Sequence, residues 1–166
     1  MKVFSFLIFL LFVRVGFSQE NLQALLDKYN TNAVPYITVE ELDISDPNII
    51  LLDARAIEEF QVSHLKNAIH VGDDDFAIEM ANVYAPNKNS HIVVYCSLGI
   101  RSEDIASKLV DAGYTNVRNL YGGIFEWKNQ DKDVYNFHDQ VTDSVHAYSR
   151  SWGKWLKSGI KVYSKD

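Results

Sequence analysis

Two short apolar runs constrain the fold of this chain more than any other feature. Ile49 to Leu52 runs without a polar residue into Asp53, and Ile92 to Tyr95 runs the same way into Cys96. A run of this length without alternation reads as a strand buried on both faces, as found inside parallel sheets. The stretches between such strands carry helical patterns. Strands alternating with helices predict βαβ units joined by right-handed crossovers. In open sheets of that kind, ligands bind beyond the carboxyl ends of the strands. Asp53 and Cys96 both sit at such ends.

The remaining elements follow from spacing and punctuation. Leu22, Leu25, Leu26 and Tyr29 mark a helix over residues 21–29. Thr38-Val39-Glu40-Glu41 fits a capping box that opens a short helix. Short helices are expected at Ile57–Phe60 and at Phe76–Val83, the latter stopped near Pro86. Ala68–Val71 and Val117–Leu120 read as strands. Ser102 to Ala112 is an amphipathic helix with Ile105, Ala106, Leu109 and Val110 on one face and Gly113 at its end. The fold class is therefore α/β, a small parallel sheet flanked by helices on both faces. Residues 129–143 look polar and irregular. Val145, Tyr148, Trp152 and Trp155 then recur at helical spacing, although Gly153 weakens a helix there. They predict a helical C-terminal tail, docked by its aromatic face or serving as a lid or partner-docking surface.

At 166 residues the chain has the length of one domain, and 47% hydrophobic residues suffice for a full core. Its formal charge is −6, with no basic run. Nucleic acid is therefore not an expected partner. Lys2 is followed by eleven residues, Val3 to Val13, apolar but for Ser5; Gly16 and Ser18 then stand at −3 and −1 of a cleavage point before Gln19. Residues 1–18 read as a secretory signal peptide, too short to span a membrane. Arg14 leaves an uncleaved anchor as the alternative. The expected location is outside the cytoplasm, periplasmic or secreted, with no membrane span in the mature form. Residues 19–35 are an N-terminal helix and linker.

Cys96 is the only cysteine. An exported chain with one cysteine has no internal disulfide to explain it, so the residue is a reactive thiol or a small buried hydrophobe. Its surroundings favour the first. Four residues, Ser97, Leu98, Gly99 and Ile100, separate it from Arg101, and Ser102 follows where a helix begins. So short a loop curls, and its amides turn inward as a nest. Gly99 permits a positive φ or a close backbone approach. Arg101 pairs with an anion or with an acidic scaffold group. Ser102 caps the helix or donates to the thiolate. Positive charge, amides and a helix N-terminus together stabilise a thiolate, and the same cradle suits a bound persulfide or oxyanion.

These residues resemble the single-domain rhodaneses, a sulfurtransferase family. Cys96, Gly99, Arg101 and Ser102 match its C-x-x-G-x-R-S loop. Leu51-Leu52-Asp53-Ala54-Arg55 with Glu59-Phe60 and His64-Leu65 resembles its first signature, and Val117, Leu120, Gly122, Gly123 and Trp127 its last. The resemblance covers residues 36–128 and leaves 129–166 as a C-terminal extension. Ser63 stands where the family usually has glycine, and Lys66-Asn67 replaces a common Pro-Gly. The resemblance implies a two-step transfer. The Cys96 thiolate takes the outer sulfur of a donor such as thiosulfate, and a thiol, cyanide or partner protein removes it from the resulting persulfide. Cys96 and Arg101 would be catalytic, with Ser97, Leu98, Gly99, Ile100 and Ser102 holding substrate. The rival reading is a persulfide carrier or interaction module that delivers sulfur without turnover. No metal or organic cofactor is implied. Phosphatases of this fold place five residues between cysteine and arginine; here there are four. With Arg101 the loop's only cation, thiosulfate should be a weak donor and a persulfide or polysulfide a better one.

Other polar residues carry milder expectations. As the resemblance suggests, Asp53 and Arg55 are scaffold, Asp53 buried near the loop and Arg55 paired with Glu58 or Glu59. His64 makes a structural hydrogen bond. His70, His91, His138 and His146 lack metal-ligand spacing. Asp73-Asp74-Asp75 lacks the glycine and terminal glutamate of a calcium loop and reads as a solvated turn or a helix N-terminus. Gly122-Gly123 is a tight turn near the site.

Overall fold

A computed structural model describes residues 22–164. The expected signal peptide at residues 1–18 lies outside the described residues. The chain divides into two units, one ending at Thr31 and one beginning at Asn32. In the first, a helix (α1) covers residues 22–29, and the Asn30 amide closes its last turn on the Leu26 carbonyl at 2.7 Å. No helix among the described residues is long and apolar enough to cross a membrane.

The second unit is built on a parallel sheet. Its strands are β1 (Tyr36–Ile37), β2 (Ile49–Asp53), β3 (Ile69–His70), β4 (His91–Tyr95) and β5 (Val117–Leu120), in the order β1-β5-β4-β2-β3. The helices are α2 (Ile57–Val62), α3 (Ile78–Tyr84), α4 (Arg101–Asp111) and α5 (Gly123–Asn129). The two apolar runs pair with each other. Leu52 stands opposite Val94 and Asp53 opposite Tyr95. β4 is central, and Ile92 to Tyr95 are wholly buried. Alternation along a strand sends neighbours to opposite faces. Leu52, Ile92 and Val94 meet Ala81 and Ala85 from the α3 region and Ile105, Ala106 and Leu109 from α4. Leu51, Val93 and Tyr95 are buried on the other face. The same geometry brings the carboxyl ends of β2 and β4 side by side, one rung from Cys96.

The expected helix after Thr38 is a single turn. Its reciprocal bonds are present: the Thr38 amide donates to Glu41 Oε2 at 2.9 Å and the Glu41 amide to Thr38 Oγ1 at 3.3 Å. The two departures from the family pattern are accommodated by backbone. Ser63 is extended, at φ −167°, a conformation open to any residue. Asn67 takes φ +62° at the third position of the turn closed by the Ala68 amide on the Leu65 carbonyl at 3.1 Å. Asparagine tolerates that left-handed conformation better than most residues.

The C-terminal segment departs from expectation. Residues 129–143 contain a small antiparallel hairpin, β6 (Val134–Tyr135) with β7 (Val141–Thr142). Tyr135 also exchanges both backbone hydrogen bonds with His64 at 2.9 Å each. The helical tail is not formed. β8 (Ser144–His146) pairs in parallel with β9 (Ile160–Val162), and between them Gly153–Trp155 makes one 3₁₀ turn. Tyr148 sits at φ +61°, where an α-helix cannot continue. Ser149 and Ser151 join their hydroxyls at 3.0 Å, a local bond that competes with helix. The three-four-three spacing of Val145, Tyr148, Trp152 and Trp155 is that of a strand, a turn and a 3₁₀ turn in succession.

The segment is nonetheless anchored. Val145, Ala147 and Leu156 are wholly buried, and Asn129 accepts from the Lys157 amide at 2.6 Å while donating to the Trp155 carbonyl at 2.9 Å. Leu156→Ala is expected to cost about 3 kcal/mol of unfolding free energy in urea titrations. A tail that merely lay on the surface would leave the midpoint unchanged.

Candidate active site

Cys96 leaves β4 at the carboxyl edge of the sheet and its sulfur is buried. The loop curls as expected: the Gly99 amide turns back and donates to Cys96 Sγ at 3.1 Å. Gly99 adopts φ +98°, and a Cβ there would stand 3.1 Å from the Leu120 carbonyl oxygen. Cys96, Ser97, Leu98, Ile100 and Arg101 line one pocket of about 110 Å³.

The loop is held from outside by its carbonyls. The amides of Ile124 and Phe125, at the start of α5, donate to the carbonyls of Cys96 at 2.9 Å and Ser97 at 3.1 Å. Helix starts have unsatisfied N–H groups, so this docking completes both partners. It demands Gly122-Gly123. Both have positive φ, and a Cβ on Gly123 would run into the Cys96 carbonyl oxygen and the Ser97 carbonyl. The Gly99 carbonyl accepts from Asn119 Nδ2 at 2.8 Å, and Asn119 Oδ1 accepts from the Ser102 hydroxyl at 2.8 Å. Ser102 thus neither caps α4 nor points at the sulfur. It lies inside the first turn, fully buried, with Ile100 as the N-cap residue. Asn119 had no place in the sequence reading. An amide between Val117 and Leu120, at the strand position in register with inward-facing Val117, was its signal, because a buried amide needs partners.

Arg101 pairs with an acidic scaffold group. Its two terminal nitrogens donate to both oxygens of Glu59, at 2.8 and 2.9 Å, and one of them also reaches Ser97 Oγ at 3.1 Å. Ser97 in turn donates to Glu59 Oε1 at 3.0 Å. Glu59 further accepts the Ala56 amide at the start of α2, at 3.1 Å. Asp73 stands 3.8 Å from Arg101 Nε. Burial alone would lower the Arg101 pKa; the Glu59 hydrogen bonds and charge outweigh it and hold the guanidinium ionised.

Asp53 and Arg55 form a second, separate pair. Arg55 is wholly buried and bonds both Asp53 oxygens, with contacts of 2.6, 2.9 and 3.2 Å. It also donates to the Ser63 carbonyl at 2.6 Å. The expected partners Glu58 and Glu59 are displaced: Asp53 lies two residues away on the same strand end, while Glu59 is taken by Arg101. Burial pushes Arg55 down, and Asp53 more than restores it. Both side chains are wholly buried at the carboxyl end of β2. His64 bonds the Phe60 carbonyl at 3.1 Å and stacks on its ring. Among the described residues no cluster of His, Cys, Asp and Glu is arranged to hold a metal ion.

Two outcomes test this wiring. Gly123→Ala is expected to destabilise the fold by about 3 kcal/mol, combining left-handed strain with overpacking, and to lower thiol reactivity at Cys96 as read by alkylation rate. For Glu59, burial alone would raise the carboxyl. The hydrogen bonds and charge of Arg101 outweigh that and hold it below its ordinary value of 4.5. The unfolded chain therefore takes up this proton at higher pH than the folded one. The stabilisation is complete above the ordinary value and is lost as pH falls through the lowered one. Glu59→Gln should cost about 2 kcal/mol at neutral pH, reduced by the partial exposure of Arg101. The gap to wild type should close on acidification, as followed by denaturant midpoints across pH.

Comparison with known proteins agrees with this geometry. Residues 39–130, more than half of the chain, match the family described as Rhodanese-like domain. A tRNA uridine(34) hydroxylase of Photorhabdus laumondii is 31% identical over 103 residues, covering 59% of this chain and 29% of that protein. One of Yersinia enterocolitica is 31% identical over 108 residues, covering 62% and 31%. The chain thus spans less than a third of these relatives. The thiosulfate sulfurtransferase of Pseudomonas aeruginosa superposes with a TM-score of 0.58 at 22% identity, over 84% of this chain and 26% of that one. The rhodanese-like domain of an Anabaena protein gives 0.55 at 21%, over 63% and 80%. These two likenesses speak for the fold. With its family match and its cysteine loop at the end of the central strand, the chain belongs to the rhodanese-like domain family.

Proposed function

We propose that this is an exported sulfurtransferase in which Cys96 carries sulfane sulfur from a persulfide or thiosulfate donor to a thiol, cyanide or an acceptor protein. The observation that carries it is the Gly99 amide aimed at Cys96 Sγ at 3.1 Å inside a four-residue loop. A sulfur held by an inward amide at a strand end is placed for nucleophilic attack and for stabilising what forms there. The thiolate attacks the outer sulfur of the donor. A new S–S bond forms on Cys96, the donor's S–S bond breaks, and the leaving group departs with its electron pair, as sulfite from thiosulfate or a thiolate from a persulfide. The acceptor then attacks the same outer sulfur and restores the thiolate. Arg101 and the Ser97 and Gly99 backbone keep the loop curled through both steps. No metal or organic cofactor enters either step.

The hydroxylation named for the curated relatives belongs to proteins more than three times the length matched. This acidic chain, at −6, offers little to attract tRNA, and nucleic acid is not among the proposed partners. The persulfide carrier that acts without turnover remains the second reading. Small-donor turnover separates the two, since a pure carrier loads once and waits for its partner. Intact mass is the first measurement. Mixing the protein with a sulfur donor should add about 32 Da, one sulfur atom, and Cys96→Ser should abolish the gain. A wild-type protein that never gains that mass would sink the reading.

A further inference from the structure

The C-terminal segment, beyond the family match at residue 130, reaches back over the Cys96 loop. Tyr148 and Trp152 complete the lining of the pocket whose other walls are Cys96, Ser97, Leu98, Ile100 and Arg101. Leu98, Ile100, Tyr148 and Trp152 are apolar or aromatic. The one cation is engaged: Glu59 grips both terminal nitrogens of Arg101, Asp73 stands beside its Nε, and the Tyr148 ring lies 4.9 Å from its guanidinium carbon. Little positive charge is left to face a small dianion.

The placement of Tyr148 is enforced. Its φ of +61° lies in the left-handed region, which a bulky residue adopts only when its surroundings require it. Half of the side chain faces solvent, at 51% exposure, so core packing does not account for that conformation. The Tyr148 amide donates to His146 Nδ1 at 3.2 Å, and His146 Nε2 bonds Ser164 Oγ at 3.0 Å. Burial pulls His146 below the ordinary imidazole value, which keeps Nδ1 free to accept. β8 and β9 therefore fix the residue that carries the ring. An apolar cavity of about 150 Å³ holds a benzene ring. The pocket here, about 110 Å³ and open to solvent, suits one ring or short alkyl group above the sulfur.

We propose that Tyr148 and Trp152 set donor choice, forming an aromatic wall that favours a sulfane-sulfur donor with an aryl or bulky apolar group and at most one negative charge over the thiosulfate dianion. This rests on Cys96 being the sulfur-carrying nucleophile. With an arylthiosulfonate, the thiolate attacks the terminal sulfur, the S–S bond of the donor breaks, and an aryl sulfinate leaves with the electron pair. The ring stacks on the wall while the reacting sulfur reaches Cys96.

Three donors test it: thiosulfate, the methanethiosulfonate anion and the benzenethiosulfonate anion. The last two share charge and reacting group and differ in the apolar part. Loading of Cys96 is followed by intact mass, and kcat/KM is measured with cyanide as acceptor. Benzenethiosulfonate should exceed methanethiosulfonate by about tenfold, the worth of an aromatic pair, with thiosulfate lowest. In Trp152→Ala and Tyr148→Asn that preference should fall to about unity, through KM rather than kcat. Asparagine keeps the left-handed backbone at position 148, and Trp152→Ala supplies the test if the other variant fails to fold. Equal use of the two thiosulfonates by wild type, or a preference unchanged in a folded variant, would overturn the wall while leaving sulfur transfer intact. Absence of loading by every donor would overturn the transfer reading itself.

Discussion

The Glu59 carboxylate is the junction on which the site depends. It receives two nitrogens of Arg101, the hydroxyl of Ser97 and the amide of Ala56. Those partners come from the start of α4, the cysteine loop and the start of α2. One buried group therefore fixes three chain segments relative to each other. A buried ion pair contributes little net stability, because desolvation offsets most of the attraction. Its value lies in geometry: removing either member leaves the other uncompensated, so the pair fixes one arrangement of the loop.

Backbone does the complementary work. The carbonyls of Cys96 and Ser97 face outward to the amides of α5, and the Gly99 carbonyl faces Asn119. With its carbonyls drawn outward, the loop can turn the Gly99 amide toward the sulfur. Two glycines make this possible for different reasons. Gly99 supplies a left-handed turn within the loop, and Gly123 supplies room for two backbones to touch. The sheet beneath is rigid because β4 is packed on both faces, so the sulfur is carried on one of the least mobile parts of the unit.

Much of this was legible in the sequence because it is local. Unbroken apolar runs gave β2 and β4, an amphipathic stretch closed by Gly113 gave α4, and the Cys96–Arg101 spacing gave the loop. Partner choice was not legible. Arg55 had Glu58 and Glu59 within a few residues, yet it took Asp53, while Glu59 went to Arg101, 42 residues on. Sequence spacing cannot rank such partners, since the sheet register decides which end meets which. The tail failed for another reason. Spacings of three and four residues suit a helix, but Ser149, Ser151 and Gly153 are poor helix residues, and the parallel pairing of Ser144–His146 with Ile160–Val162 outweighs the pattern. Tertiary context overrides propensity most readily where propensity is weak.

The two buried arginine pairs show why the extension matters to the chemistry. Arg55 and Asp53 are sealed, each wholly buried, and their charges cancel out of reach of any ligand. Arg101 is different: it lines the pocket and keeps some exposure, yet its charge is met by Glu59 below and by the Tyr148 ring above. A guanidinium placed this way stiffens the loop more than it attracts an anion. Selectivity then has to come from contacts that do not depend on net charge. Near Cys96, those contacts are the apolar loop residues and the two aromatic side chains that the C-terminal strands bring back over the sheet's carboxyl edge.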